Sequence, residues 1–279
     1  LWSDLGEGDL VVGWVADTEQ EEAHFVATEI DKLSDAGVSQ YGDTAVFYRT
    51  NAQSRAFEEV FIRVGMPYKV VGGVRFYERR EIRDALAYLR VVAQPADDLA
   101  FERIVNTPKR GLGDKAVQTI QNEARARNLS LLEGAASVVA TGALGGKGGA
   151  ALRQFTESMG RWHADAIDST VNHVELAERI LDESGYTAMW QNDRSAEAPG
   201  RLENLKELIR SMDEFESMEG FLEHISLVMD RDSGEQLDAV SIMTLHSAKG
   251  LEFDTVFLPG WEEGLFPHQR ALDEGGRAG

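Results

Sequence analysis

The chain has 279 residues and a 43% hydrophobic composition, enough for one large or two ordinary domains with a buried core. It holds no cysteine, so disulfides and thiolate metal sites are excluded, which fits a reducing cytosol, and no apolar run nears the ~18–20 residues of a membrane span. The net charge of −20 argues against a generally nucleic-acid-binding surface but leaves room for local basic patches.

No signal peptide opens the chain, which starts abruptly and reads as a piece of something longer. "LVVGWV" (Leu10–Val15) is expected to be a buried strand. Thr18 and Glu21 then form a capping box for a helix with apolar positions at Ala23, Val26, Ile30 and Leu33. "TAVFYR" (Thr44–Arg49) reads as a second strand, "AQSRAFEEVFIRVG" as a helix closed by Gly65, and "YKVVGG" as a third strand. Strands alternating with helices imply a parallel sheet with crossover helices.

The character changes near "REIRDALAYLRVVAQPADD", and helical spacing dominates to about Asp238. "KAVQTIQNEARARN", "LRQFTESMGRWHADAI", "VNHVELAERILDESG", "RLENLKELIRSMDEF" and "MEGFLEHISLVMD" all carry it. Apolar runs return at Ala239–Leu245 and Phe253–Leu258. The fold class is therefore α/β, with a helical insert interrupting the sheet domain. The divisions expected are 1–82, 83–238 and 239–279. Between Lys69 and Arg90 six basic residues face three acidic ones, a local basic stripe on an acidic chain.

Several catalytic motifs fail on inspection. "ATGALGGKGGA" (Ala140–Ala150) is no phosphate loop, because Gly148 follows Lys147 where Ser or Thr is needed; it reads as an interhelical loop. "ILDESG" (Ile180–Gly185) resembles a magnesium-binding strand end, but Val174, Leu176, Ile180 and Leu181 keep helical spacing, which makes it a helix terminus. No H-E-x-x-H and no G-x-S-x-G occurs, and no second histidine supports His246 as a metal ligand. Metal ligands are not expected.

Three stretches hold more. "NTPKRGLGDKA" opens a helix with a Gly-x-Gly turn beside Lys109, Arg110 and Lys115; it is either a phosphate-binding turn or an ordinary helix corner. "FYRTNAQSR" ends a strand with Tyr48, Arg49, Thr50 and Asn51, where parallel sheets place ligands, although plain capping by Asn51 fits as well. "TLHSAKGLEF" packs His246, Ser247, Lys249 and Glu252 between two strands, more chemistry than a hairpin turn needs.

In this order, "YRTNAQSR", "GGVRFYERREIRDALAYLR", "NTPKRGLG" and "TLHSAKGLEF" closely resemble the UvrD/Rep/PcrA family of superfamily 1A DNA helicases, over essentially the whole chain. The resemblance implies a RecA-like second motor lobe, 2A, split around a subdomain 2B. It implies ATP and magnesium as cofactors of the full-length parent, single-stranded and duplex DNA as partners, and the 1A/1B half of the same chain as the other motor lobe. "TLHSAKGLEF" resembles helicase motif V. Glu252, with Lys249 and Gly250, would then meet the ATP ribose. Thr244, His246, Arg49, Thr50, Asn51, Arg55, Gly73, Arg75 and Phe76 would line the single strand. Thr107, Lys109, Arg110, Gly111, Leu112 and Gly113 would touch the duplex, with Leu112 replacing the family's Ile. The motifs of lobe 1A, with motif IV and motif VI, have no counterpart in this sequence, so the chain alone is expected to be inactive and to bind no cofactor. DNA-repair proteins are further expected partners, no membrane is expected, and the cytoplasm is the expected location. The alternatives are a DNA- or protein-docking module without motor activity and a piece of a helicase–nuclease.

Overall fold

The structure, a computed structural model, describes residues 10–230 and 238–262. Two compact units share the chain. One takes the described residues up to Arg49, Gln53–Gly72, and those from 238 on; the other takes Thr50–Ala52 and 73–230.

The first unit is α/β. Helix α1 (Glu19–Asp35) buries Ala23, Val26, Ala27 and Ile30 along one face. Thr18 caps it by accepting from the Glu21 N–H, but the Glu21 carboxylate reaches one residue further back than a capping box requires, accepting from the Asp17 N–H at 3.1 Å. Glu19, Glu21 and Glu22 place negative charge at the positive end of the helix dipole. Strands β1 (Thr44–Tyr48), β2 (Tyr68–Val70), β3 (Val240–Thr244) and β4 (Thr255–Phe257) form one sheet in the order β2-β3-β1-β4. Every pairing is parallel, with Tyr48 level with Thr244, Tyr68 with Val240, and Thr44 with Thr255. Helix α2 (Ser54–Val64) ends at Gly65, which adopts φ 75°. The core joins Val26, Ile30, Val46, Tyr48, Phe57, Phe61, Val240 and Ile242.

Leu10–Val15 does not form the expected strand. The segment has no regular structure, and Val11 is 99% exposed. A strand needs a neighbour to take up its backbone N–H and C=O groups, and no strand among the described residues pairs with it. Its one aromatic finds another use: the Trp14 ring stacks on Phe25 of α1, centroids 4.0 Å apart.

The second unit is helical. Its spine is α3 (Arg80–Ala93), buried on nearly every side through Ile82, Ala85, Leu86, Tyr88, Leu89, Val91 and Val92. Around it pack α4 (Asp98–Ile104), α7 (Gly146–Ile167), α8 (His173–Glu183), α10 (Ala198–Ser211) and α11 (Met218–Asp230). Helices α5 (Asp114–Arg127) and α6 (Leu131–Thr141) form a close pair, and α9 (Tyr186–Gln191) is a short helix between α8 and α10. Ser130 and Glu133 complete a capping box at the start of α6. Asn172 caps α8, and Asp97 caps α4.

The stretch Ala140–Ala150 is less of a loop than its glycines imply. Helix α6 runs to Thr141 and α7 already begins at Gly146. Each glycine costs about 1 kcal/mol of helix propensity, and α7 offsets this by burying Leu152, Phe155, Met159 and Trp162 further along. "ILDESG" ends α8, as the spacing predicts: Ile180 and Leu181 are buried, and Ser184 is the C-cap.

Candidate nucleic-acid interface

The sheet unit gathers three expected residues at one end. Strands β1 and β3 are neighbours, and their carboxyl ends are level. Arg49 leaves β1 there, and His246 stands two residues past β3. The Arg49 Nη1 lies 3.3 Å from His246 Nε2 and 3.4 Å from Nδ1. The guanidinium therefore sits beside the whole nitrogen edge of the ring. Thr244, the last residue of β3, turns its hydroxyl inward: it lies 3.0 Å from Ser247 Oγ and accepts from the Ser247 N–H at 3.2 Å.

A tight turn follows. The Ala248 N–H donates to the Thr244 carbonyl at 3.1 Å, the Lys249 N–H to that of His246 at 3.4 Å, and the Leu251 N–H to that of Ala248 at 3.0 Å. Gly250 closes it at φ 86°, a conformation that favours glycine. His246, Lys249, Gly250 and Glu252 are all exposed. The chain must then reach β4, whose first residue is level with the opposite end of β1. Five residues of β1 span roughly 13–17 Å. His246 thus stands at one end of that strand, and Glu252 lies on the segment that leads to the other.

Gln53 belongs to this region, although the sequence reading passed over it. Its Oε1 accepts from the Arg49 N–H at 2.9 Å. Its amide nitrogen occupies the space where a side chain on Gly260 would begin. Gly260 in turn donates its N–H to Glu22 Oε1 at 3.0 Å. Burial, opposed by that hydrogen bond and reinforced by Glu262 and Glu19, pushes the Glu22 carboxyl above its usual range. The signal available was "NAQ" directly after a basic strand end, a polar residue where the helix has not yet begun.

Arg55 does not join Arg49. It is 3% exposed, and its guanidinium pairs with Glu59 at 3.2 Å along α2. In the helical unit, Thr50 is half-buried, Gly73 is exposed and Arg75 is half-buried, whereas Phe76 is fully buried, which leaves its face closed to a base. The Asn51 carbonyl accepts from Arg79 Nη1 at 2.7 Å, and Arg79 also reaches Asn204 Oδ1 at 3.1 Å. The basic stripe is thus partly turned inward: Arg79 is buried, Arg90 donates to Ser226 Oγ at 3.0 Å, and Arg80 remains largely exposed.

The turn before α5 is built around Asn106. Its Oδ1 accepts from the Arg110 N–H at 2.8 Å and the Leu112 N–H at 3.4 Å, while its Nδ2 donates to the Leu112 carbonyl at 2.8 Å. Leu112 is 2% exposed and anchors the turn, leaving Gly111 and Gly113 at the surface. None of the hydrogen bonds of the described residues uses the N–H of either glycine. Lys109 is exposed beside them. Arg110 plays a different part. It donates to the carbonyls of Ile104, Val105 and Pro108 at 2.8, 3.2 and 3.3 Å and to the Tyr88 hydroxyl at 2.5 Å. Its guanidinium also lies 4.4 Å from the Phe155 ring centroid. That charge braces the turn from inside. Burial pushes the Tyr88 hydroxyl up, against the opposing pull of Arg110.

Among the described residues no cluster of His, Asp or Glu could hold a metal ion, and no helix is long and apolar enough to cross a membrane. The family model described as the UvrD-like helicase C-terminal domain matches residues 1–143 and 145–277. The chain is 43% identical over 281 residues to DNA helicase II of Rickettsia typhi, covering 100% of this chain and 42% of that protein. It is 44% identical over 299 residues to the ATP-dependent DNA helicase UvrD1 of Mycobacterium tuberculosis, covering 98% of this chain and 38% of that protein. Against DNA helicase II of Escherichia coli the identity is 39% over 287 residues, covering 99% and 39%. The chain thus spans about two-fifths of the length of these curated relatives. The family model spans nearly the whole chain, and the chain belongs to the family of UvrD-like helicase C-terminal domains.

Proposed function

We propose that this chain is the second motor lobe, with its 2B insert, of an ATP-dependent 3′ to 5′ DNA helicase acting in DNA repair and replication. The observation that carries this reading is the pairing of Arg49 with His246 at the level carboxyl ends of two parallel strands, within a stretch that resembles motif V. Open α/β sheets bind ligands at that end. Arg49, Thr50, Asn51, His246, Gly73 and Arg75 form the proposed single-strand contacts, with Thr244 shaping the turn. Gly111 and Gly113 offer backbone N–H groups, and Lys109 a charge, to duplex phosphates, which carry no sequence information. Arg110 and Leu112 hold that turn in shape, and the Thr107 carbonyl accepts from the Tyr88 hydroxyl at 2.6 Å.

ATP and magnesium would serve the whole protein. The exposed Glu252 carboxylate fits a ribose hydroxyl as acceptor, and Lys249 and Gly250 shape the approach to it. Bound ATP would supply the phosphoanhydride bond whose hydrolysis drives translocation. The chain itself has no phosphate loop. The other motor half, 1A/1B, is its proposed partner, alongside DNA-repair proteins, and the cytoplasm its proposed location.

The test compares this chain with the full-length parent in ATP turnover and unwinding. The chain alone should turn over no ATP, and the parent should do so with stimulation by single-stranded DNA. In the parent, Glu252→Ala should weaken nucleotide use more than DNA binding, and His246→Ala the reverse. Unchanged turnover and unwinding in both variants would sink this reading.

A further inference from the structure

The turn that carries His246 rests on Gly72, the first residue of "GGVRFYERREIRDALAYLR", to which the resemblance gives no role. The chain leaving β2 passes beside it: the Val71 N–H donates to the Ile242 carbonyl at 3.0 Å, one step beyond the strand. Gly72 then adopts φ +79°, and a methyl group there would lie 2.9 Å from Ser247 Oγ and 3.3 Å from Ser247 Cβ. The first distance is shorter than real Cβ contacts, and the second is tight. Ser247 has little freedom to retreat, because its hydroxyl and its N–H both engage Thr244 Oγ1. Ser247 is half-buried, while its neighbour His246 and Lys249 are exposed. Moving Ser247 therefore moves the backbone that presents both.

We propose that Gly72 is a positioning residue for the His246 turn: its missing side chain leaves the space into which Ser247 seats. The pair Gly72–Ser247 holds the turn, and with it the contact of His246 with Arg49. As a statement about DNA, this rests on the single-strand reading given above; as a statement about geometry, it stands apart from it.

Four variants of this chain separate the two. Gly72→Ala introduces both the close contact and a left-handed alanine. Gly65→Ala introduces only the latter, since Gly65 has φ +75° with nothing within 4 Å of the added atom. Ser247→Gly removes the obstructing atoms, and the fourth variant combines Gly72→Ala with Ser247→Gly. The readouts are amide and histidine-ring NMR signals of residues 244–250 and the affinity for an oligo-dT strand at low salt. Gly72→Ala should shift the turn and His246 signals and weaken oligo-dT binding about fivefold or more. Gly65→Ala should do neither. The double variant should return the signals to those of Ser247→Gly.

Turn signals in Gly72→Ala that match those in Gly65→Ala would overturn the proposal, as would a double variant no closer to Ser247→Gly. If Gly72→Ala does not fold, the double variant decides: a folded product upholds the seating of Ser247, an unfolded one overturns it. If the signals shift and recover while oligo-dT affinity stays constant in all four, the positioning role stands and the DNA reading of the turn fails.

Discussion

Arg110 shows how a charge near a proposed binding turn can serve the turn rather than the ligand. By sequence it belongs with Lys109 in a basic pair. In the structure its fork donates to the carbonyls of Ile104 and Val105 at the end of α4 and to that of Pro108 beyond it, and the ring of Phe155 lies against it. Arg110→Ala should destabilise the helical unit by about 2–4 kcal/mol in urea denaturation, because half-buried carbonyls lose a charged donor. Lysine should rescue little, since an ammonium cannot reproduce the planar fork. Lys109→Ala should leave stability within about 0.5 kcal/mol and weaken duplex binding instead. Glu22 provides a pH test. Its folded carboxyl sits above its ordinary value of 4.5. Between those two values the folded state holds more protons than the unfolded one, so stability falls as pH rises through that window. Glu22→Gln should therefore stabilise the protein at pH 7, by less than about 1 kcal/mol because the group is half-exposed and screened. The gain should vanish below the ordinary value of 4.5, where both states carry the proton. Thermal melts across pH will show whether it does.

At the scale of elements, caps and stripes were readable, while neighbours were not. Thr18 and Gly65 mark the ends they were expected to mark. Leu10–Val15 has the composition of a strand, yet composition does not supply the hydrogen-bonding partner a strand requires. Phe76 and Arg55 sit within stretches that resemble a DNA-binding surface, but burial depends on packing, which periodicity only outlines. The α5–α6 pair makes the same point. A methyl group on Gly134 would lie 2.8 Å from Ala124 Cβ and 3.1 Å from the Ile120 carbonyl oxygen, so these helices touch at a glycine that looks like a flaw in α6. Gly134→Ala improves helix propensity by about 1 kcal/mol, yet overpacking costs typically 1–3 kcal/mol. The expected outcome is a lower melting temperature, despite the better helix former; a rise would mean that the two helices separate easily.

For the whole molecule, charge sets the terms of binding. The net charge is −20, so the proposed contacts with DNA must be local and few. Each phosphate neutralised on a single strand contributes about −0.7 to the slope of log affinity against log salt. The proposed cationic contacts of the single strand, Arg49 and Arg75, predict a slope between about −1 and −3, measured by fluorescence anisotropy with oligo-dT. A slope near −7 would require a basic surface far larger than this one.

The sheet has one more consequence, which concerns the order in which it can be made. Chain leaves the sheet after β2 and returns only at β3, yet β3 is an interior strand that pairs with both β1 and β2. The Gly42 N–H meets the Asp238 carboxylate across 196 residues of sequence. During synthesis at roughly 5–20 residues per second, β1 and β2 would wait about ten seconds or longer without the strand that lies between them. The helices made in that interval depend mostly on contacts with one another, and local contacts form fast. The insert should therefore fold on the ribosome before the sheet that flanks it in sequence. Until β3 emerges, α1 and α2 have only an unfinished sheet to cover, and that interval is when this protein is most exposed to aggregation.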